Sequence, residues 1–180
     1  MRPPSPNPAP TSDVLPVSAL AEGALQALLA PYGLVIESAT GAIPGSYWGE
    51  SEAGLIGNRL ILRRDTPVHS ALHEACHFIC LQNRDAHLSK KGTQTFGKGV
   101  RPLLHTDAGG DDLEECAVCY LQIVLAERLT GYSRERMFTD MDAWGYSFRL
   151  GSARAWFERD SGDAQEWLAQ RTLLPASSAR

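Results

Sequence analysis

The stretch "LHEACHFIC", residues 72–80, sets two histidines, a glutamate and two cysteines in nine positions of an otherwise apolar run. Just upstream, "DTP" at 65–67 supplies a helix start. Thr66 is expected as the N-cap and Pro67 as the first helical residue, where its missing N–H costs nothing. The spacing therefore predicts a helix from Pro67 to about Gln82. Ala71, Leu72, Ala75, Phe78 and Ile79 make most of its surface apolar, so it has to be buried. Buried imidazoles and a buried carboxylate are costly without partners. Whatever this chain folds into must bring complementary groups to this helix.

Within it, His73-Glu74-Ala75-Cys76-His77 matches H-E-x-x-H. Residues four apart on a helix lie about 40° apart and one turn up, so both imidazoles can face one ion. Glu74 lies beside them, displaced around the axis, where it can reach a zinc-bound water. Two histidines holding zinc with a glutamate as base is the arrangement of a zinc peptidase. His69, four residues earlier, extends the row. Three ligands at i, i+4 and i+8 would span about 12 Å along the axis, too far for bonds of roughly 2 Å to one ion. His69 is expected as an outer support of the site or a surface residue.

Catalytic zinc usually takes three protein ligands and leaves one position open. The third is sought in "GGDDLEECAVCYLQ", the start of a helix expected from Asp111 or Asp112 to about Leu129, ending before Gly131. It carries Glu114 and Glu115. Both also fit capping-box spacing from Asp111 and Asp112, and acids favour a helix N-terminus in any case. Glu114 shares its face with Ala117, Val118, Leu121 and Leu125, all apolar. Glu115 shares its face with Val118, Cys119 and Gln122, a more mixed set. The inward carboxylate is therefore expected to be Glu114, with Glu115 as the alternative.

"HEACH", followed 37 positions after His77 by "EECAVCYL", resembles the ImmA/IrrE class of small zinc metallopeptidases with gluzincin-like sites. Their second helix carries a pattern like E-x-x-A-N-x-F-A. Here Glu114 and Ala117 match, Tyr120 stands for the Phe, Val118 replaces the Asn and Leu121 the last Ala. The resemblance implies His73, His77 and Glu114 as zinc ligands and Glu74 as catalytic base. It covers roughly residues 47–129. Cys76 stands where such motifs often have Gly, and the C-terminal segments with Trp144, Trp156 and Trp167 have no counterpart in it. The expected activity is hydrolysis of a peptide or amide bond by glutamate-assisted attack of zinc-bound water, with a peptide or protein as substrate.

The four cysteines offer a rival. Cys76 and Cys80 are spaced i, i+4, and Cys116 and Cys119 i, i+3, on the two helices to be brought together. They could hold a structural zinc or an iron–sulfur cluster in a protein without turnover. Against this, all-cysteine zinc sites usually place C-x-x-C on a tight turn, and buried thiols commonly pack as small hydrophobes. A fold retained around a vestigial site is a third reading. For the oxyanion donor of a peptidase, His105 in "LLHTDAGG" is the first choice, with Tyr132 and Tyr146 as alternatives. "SYWGE" and "GLIGNRLIL" could offer a strand edge to an extended peptide.

The rest of the chain bounds these readings. At 180 residues, with 43% hydrophobic and 21% charged content, it is long enough for one ordinary core. A formal charge of −4 gives no reason to expect nucleic acid or an anionic membrane as partner. No apolar run reaches the roughly 18 residues needed to span a bilayer. Residues 1–16 hold six prolines and are expected as a disordered tail, without the apolar core of a secretory signal. A cytoplasmic location is expected, with reduced thiols. "SALAEGALQALLAPYG" reads as a helix stopped by Pro31 and Gly33, and "LVIES" as a short strand. "SYWGE", "SEAG" and "LIGNRLILRR" read as two strands about a turn. Residues 83–110 are polar, Gly-rich and irregular, a candidate lid. Two or three short helices follow the second long one. The expected architecture is a single α+β domain over 17–175, zincin-like, with a short sheet packed on the H-E-x-x-H helix and a second ligand helix.

Overall fold

The computed structural model describes residues 13–44, 51–85 and 112–174. The order of elements is α+β, with six α-helices and one three-stranded sheet among the described residues. No helix among them is long and apolar enough to cross a membrane. The expected helix over 18–33 is broken. Val17–Ala19 forms a 3-10 turn, α1 covers Ala24–Leu29, and a second 3-10 turn covers Ala30–Tyr32. Gly23, at φ +76°, interrupts the helical path and becomes the N-cap of α1. The apolar spacing was real, since Leu25 and Leu29 are buried, but the helix holds only where nothing left-handed intervenes.

Strand β1 is Val35–Ser38, β2 Gly54–Ile56 and β3 Arg59–Leu62. The sheet order is β1-β3-β2, with β1 parallel and β2 antiparallel to β3. The segment read as one Ile- and Leu-rich strand is thus a hairpin. Its two-residue turn is Gly57-Asn58, with Gly57 at φ +61°, a conformation that glycine takes without steric cost. Gly54 is needed for a different reason. A Cβ there would sit 2.1 Å from the Pro44 carbonyl oxygen.

Of the expected strand edge, the topology leaves β2, Gly54–Ile56, at the outside of the sheet. β3 is central and paired on both sides. On β1 the Ile36 N–H donates to Gln26 Oε1 at 2.9 Å, and Gln26 Nε2 donates to the Leu34 carbonyl at 3.2 Å, so α1 covers that backbone. "SYWGE" itself lies outside the described residues.

Helix α2, Val68–Asn83, follows β3 directly and packs on β2 and β3. Its start differs from the expectation in a way that explains the N-terminus. Pro67 is the N-cap rather than the first helical residue, and Thr66 Oγ1 accepts from Arg63 N at 2.9 Å, closing a turn instead of capping the helix. The Val68 N–H donates to the Leu15 carbonyl at 2.9 Å, while the Val17 N–H donates to the Thr66 carbonyl at 2.8 Å. The Leu15 carbonyl thus satisfies one N–H of the helix's first turn. Asp140, fully buried, accepts from Leu15 N at 3.3 Å, Tyr132 Oη at 2.6 Å and Arg136 Nε at 2.7 Å. Residues 13–16 therefore belong to the folded body, which begins before the boundary expected at 17.

Helix α3, Asp112–Ala126, packs along α2 and against the later helices. It ends three residues short of Leu129, whose N–H donates to the Ala126 carbonyl at 3.3 Å in a tighter final turn. Then come α4, Arg134–Trp144, α5, Ala153–Arg159, and α6, Gly162–Gln170. The core is a single cluster. It joins Leu72, Ala75 and Ile79 of α2 to Val118, Leu121 and Leu125 of α3, and to Trp156, Trp167 and Leu168 beyond.

Candidate metal centre

A polar seam runs through the largely apolar α2–α3 interface. On α2 the seam carries His69, His73 and His77; on α3 it carries Glu115, Cys119 and Gln122. Both sets follow helical spacing, i, i+4, i+8 and i, i+4, i+7, so each lies along one side of its helix. The side chains meet in the seam. His73 Nε2 is 3.1 Å from His77 Nε2, and the two rings cross edge to face. Glu115 lies across from both, with Oε1 at 3.3 Å from His73 Nε2 and Oε2 at 3.3 Å from His77 Nε2.

Gln122 orients this group. Its Oε1 accepts from His73 Nδ1 at 2.9 Å, so Nδ1 carries the proton and Nε2 is turned into the seam. Gln122 is itself fully buried, and its Nε2 donates to the His69 carbonyl at 3.2 Å. Met137 Sδ receives the same group at 3.3 Å. The amide cannot rotate without losing these contacts.

The electrostatics follow from crowding. Burial works against protonation of His73, yet its pKa is held well above the ordinary imidazole value, with the facing Glu115 carboxylate among the groups that raise it. Burial, reinforced by the charge on His73, pushes His77 down to about 3. Burial would raise Glu115, yet the two imidazoles bring it down to about 2. Without an ion, then, His73 donates to a neutral His77 and pairs with an ionised Glu115. The same donors suit a cation. Bonds of about 2.0–2.1 Å in a tetrahedron put neighbouring ligand atoms about 3.3 Å apart, close to the 3.1 and 3.3 Å found here. His73, His77 and Glu115 could hold a divalent metal with little rearrangement.

The expected third ligand needs correction. Glu114 is the more buried glutamate, as its apolar face implied, but it does not face the histidines. Its carboxylate takes two hydrogen bonds from Arg84, Nε to Oε2 and Nη2 to Oε1, each 2.7 Å. Arg84 is held from behind by Arg171, whose Nε donates to the Arg84 carbonyl at 2.9 Å and whose guanidinium lies 3.7 Å from the Trp167 ring centre. Glu114 belongs to a clamp between the end of α2 and the start of α3, and Glu115, one residue on, meets the imidazoles. The sequence clue was the polar company that Glu115 keeps on its face, which includes Gln122.

Glu74 is half-buried, with Oε2 shielded from solvent. His105 lies outside the described residues, as does most of the expected lid. Of the two tyrosines, Tyr132 serves Asp140 instead. Tyr146 stands at the seam, its ring 5.8 Å from both His73 and His69. His69 is no surface residue. It is 1% exposed, and neither ring nitrogen has a hydrogen-bond partner among the described residues. Its ring leans on Trp144 at 4.9 Å, and burial, with help from the charge on His73, lowers its pKa to about 3.

The four cysteines do not assemble into one site. Beside the His73–His77–Glu115 contacts, His73, Glu115 and Cys119 form a group of potential ligands whose atoms lie within 4.8 Å of one another, a group that does not include His77. Cys76 and Cys80 are fully buried in the core cluster, as packing residues would be. A cleft of about 260 Å³, with Cys116, Phe148 and Trp156 in its lining, opens nearby; Phe148 stacks on Tyr146 at 6.2 Å.

Comparison of the chain with protein-family models, curated proteins and solved structures finds no match.

Proposed function

We propose that this protein is a zinc-dependent hydrolase of peptide or amide bonds, with His73, His77 and Glu115 as metal ligands and Glu74 as the base. The observation that carries the reading is the pair of imidazole Nε2 atoms 3.1 Å apart, each 3.3 Å from a Glu115 oxygen, on a helix whose next residue after His73 is a glutamate. The short sheet, the H-E-x-x-H helix behind it and the facing α3 agree with a zincin-like domain, and Glu115 takes the place that the family resemblance gives to Glu114.

When bound, zinc would supply Lewis-acid polarisation of water and of a substrate carbonyl. The protein's own contribution is positional. Gln122 fixes the His73 tautomer, Glu115 neutralises charge, and Glu74 accepts a proton from the attacking water and returns it to the leaving nitrogen. Tyr146, with its hydroxyl kept protonated by burial, is the described residue suited to donate to a developing oxyanion. The cleft beside Phe148 and Trp156 is a place for a substrate side chain.

Glu74→Gln tests this directly. Purified with zinc, the variant should keep the metal content of the parent and lose hydrolysis of fluorescently labelled casein. Unchanged turnover would remove Glu74 from the mechanism. Full metal occupancy in the parent, with no hydrolysis of a broad peptide pool, would favour a structural or regulatory metal site on the same residues.

A further inference from the structure

Cys119 stands where the core meets the polar seam. It is fully buried in the core cluster on α3, one helical turn beyond Glu115 and three residues before Gln122. Unlike Cys76 and Cys80, it also lies beside the seam's His73 and Glu115. Its Sγ, one His73 ring nitrogen and one Glu115 oxygen all lie within 4.8 Å of one another. Cys76, the other cysteine close to the histidines in sequence, adjoins His77 and therefore projects about 100° away from it around α2.

We propose that Cys119 is a fourth ligand of the metal centre, so that the ion is held by two imidazoles, a carboxylate and a thiolate. This rests on the metal-binding half of the function proposed above and not on hydrolysis. On coordination the S–H bond breaks, sulfur donates to the metal and the proton leaves to solvent. A thiolate narrows the choice of ion. It favours zinc or cobalt and disfavours magnesium or manganese, which prefer all-oxygen sites. It also makes the resting centre closed. A water or a substrate carbonyl reaches the fourth position only when Cys119 lets go, so the side chain controls access as well as affinity.

The test uses the full chain loaded with Co²⁺, read by absorption. A thiolate ligand gives an intense charge-transfer band in the near ultraviolet, separate from the visible d–d bands that report four-coordinate geometry. The expected result is both features in the parent. The ultraviolet band should be lost in Cys119→Ser with the d–d bands retained, and both should remain in Cys76→Ser and Cys116→Ser. Bound cobalt with d–d bands but no thiolate band in the parent would overturn the assignment of Cys119 while leaving the His73, His77 and Glu115 centre standing. A band that disappears with Cys76 or Cys116 instead would overturn it as well. Failure to bind cobalt at all would reject the metal centre itself. The parent spectrum decides even if Cys119→Ser does not fold. A tenfold or larger excess of Mg²⁺ should leave the cobalt spectrum unchanged.

Discussion

The α2–α3 interface treats two adjacent carboxylates in opposite ways. At its end, Glu114 is locked by a two-pronged contact with Arg84, backed by Arg171. Further along, Glu115 faces two imidazoles that crowd each other. In the clamp, a full positive charge is matched to a full negative one, and nothing further is required. In the seam, the positive charge present is one proton on His73, held among groups that would each accept a metal. A helix turns about 100° per residue, so neighbours in sequence can face unrelated surroundings. The difference teaches that burial alone does not decide which carboxylate meets the histidines. The more buried glutamate is the one paired with arginine.

The sharpest way to break the comparison is to neutralise each carboxylate in turn. Glu115→Gln should weaken zinc binding by more than the roughly 100-fold that marks loss of an outer-shell partner. Glu114→Gln should leave zinc affinity within a few-fold of the parent. Competition with a chromogenic chelator measures both, and equal losses would erase the distinction between clamp and seam.

Stability should show the reverse pattern. Arg84→Ala leaves the buried Glu114 charge without its bidentate partner. Removing one member of a buried pair costs about 3–5 kcal/mol, and partial exposure of Arg84 reduces this to about 2–4 kcal/mol. Urea unfolding of the metal-free protein would report it, and the variant should still take up zinc.

A smaller effect is expected at Gln122. Gln122→Leu keeps the volume but removes the acceptor that holds the His73 Nδ1 proton. Zinc affinity should fall about 10- to 100-fold. An unchanged value would mean that the tautomer is set by something else.

The last effect is seen only in acid. His69 has its pKa lowered to about 3 in the folded protein, against about 6.5 in an unfolded chain. As pH falls through this window the unfolded state takes up the proton first, so stability is intact above about 6.5 and declines toward 3. The slope is at most about 1.4 kcal/mol per pH unit for this group. His69→Phe, which keeps an aromatic ring against Trp144, should flatten the acid limb of the stability curve by one proton. It should have little effect at neutral pH. His77 contributes to the same limb, so the curve flattens without becoming level.

Much of this architecture was legible from residue patterns. The α2 helix, its buried face, the His73–His77 pair, the stop of the first helical region at Gly33 and the trio of short C-terminal helices follow from apolar spacing and from punctuation by Gly and Pro. Other elements were hidden for identifiable reasons. "LIGNRLILRR" read as one strand because Leu and Ile stand on both sides of Gly57-Asn58, yet a positive φ at Gly57 makes a hairpin turn. Thr66 had the chemistry of a cap, but the Leu15 carbonyl reached the helix start first. Cys119 and Gln122 gave little signal alone, since buried cysteines and glutamines have many ordinary uses.

Sequence by itself determined which residues share a helix face, and with that the pairing of His73 with His77. It could not determine which face of α3 would be turned toward them. That depended on the rotation of α3 about its own axis, which is set by packing on α2 and the later helices and by where the Arg84 side chain ends. Once that rotation is fixed, Glu114 falls to the arginine, and Glu115, Cys119 and Gln122 fall to the histidines. The reason is geometric. Periodicity is a property of one helix, whereas a site between two helices depends on how they are set against each other, and only the tertiary structure carries that.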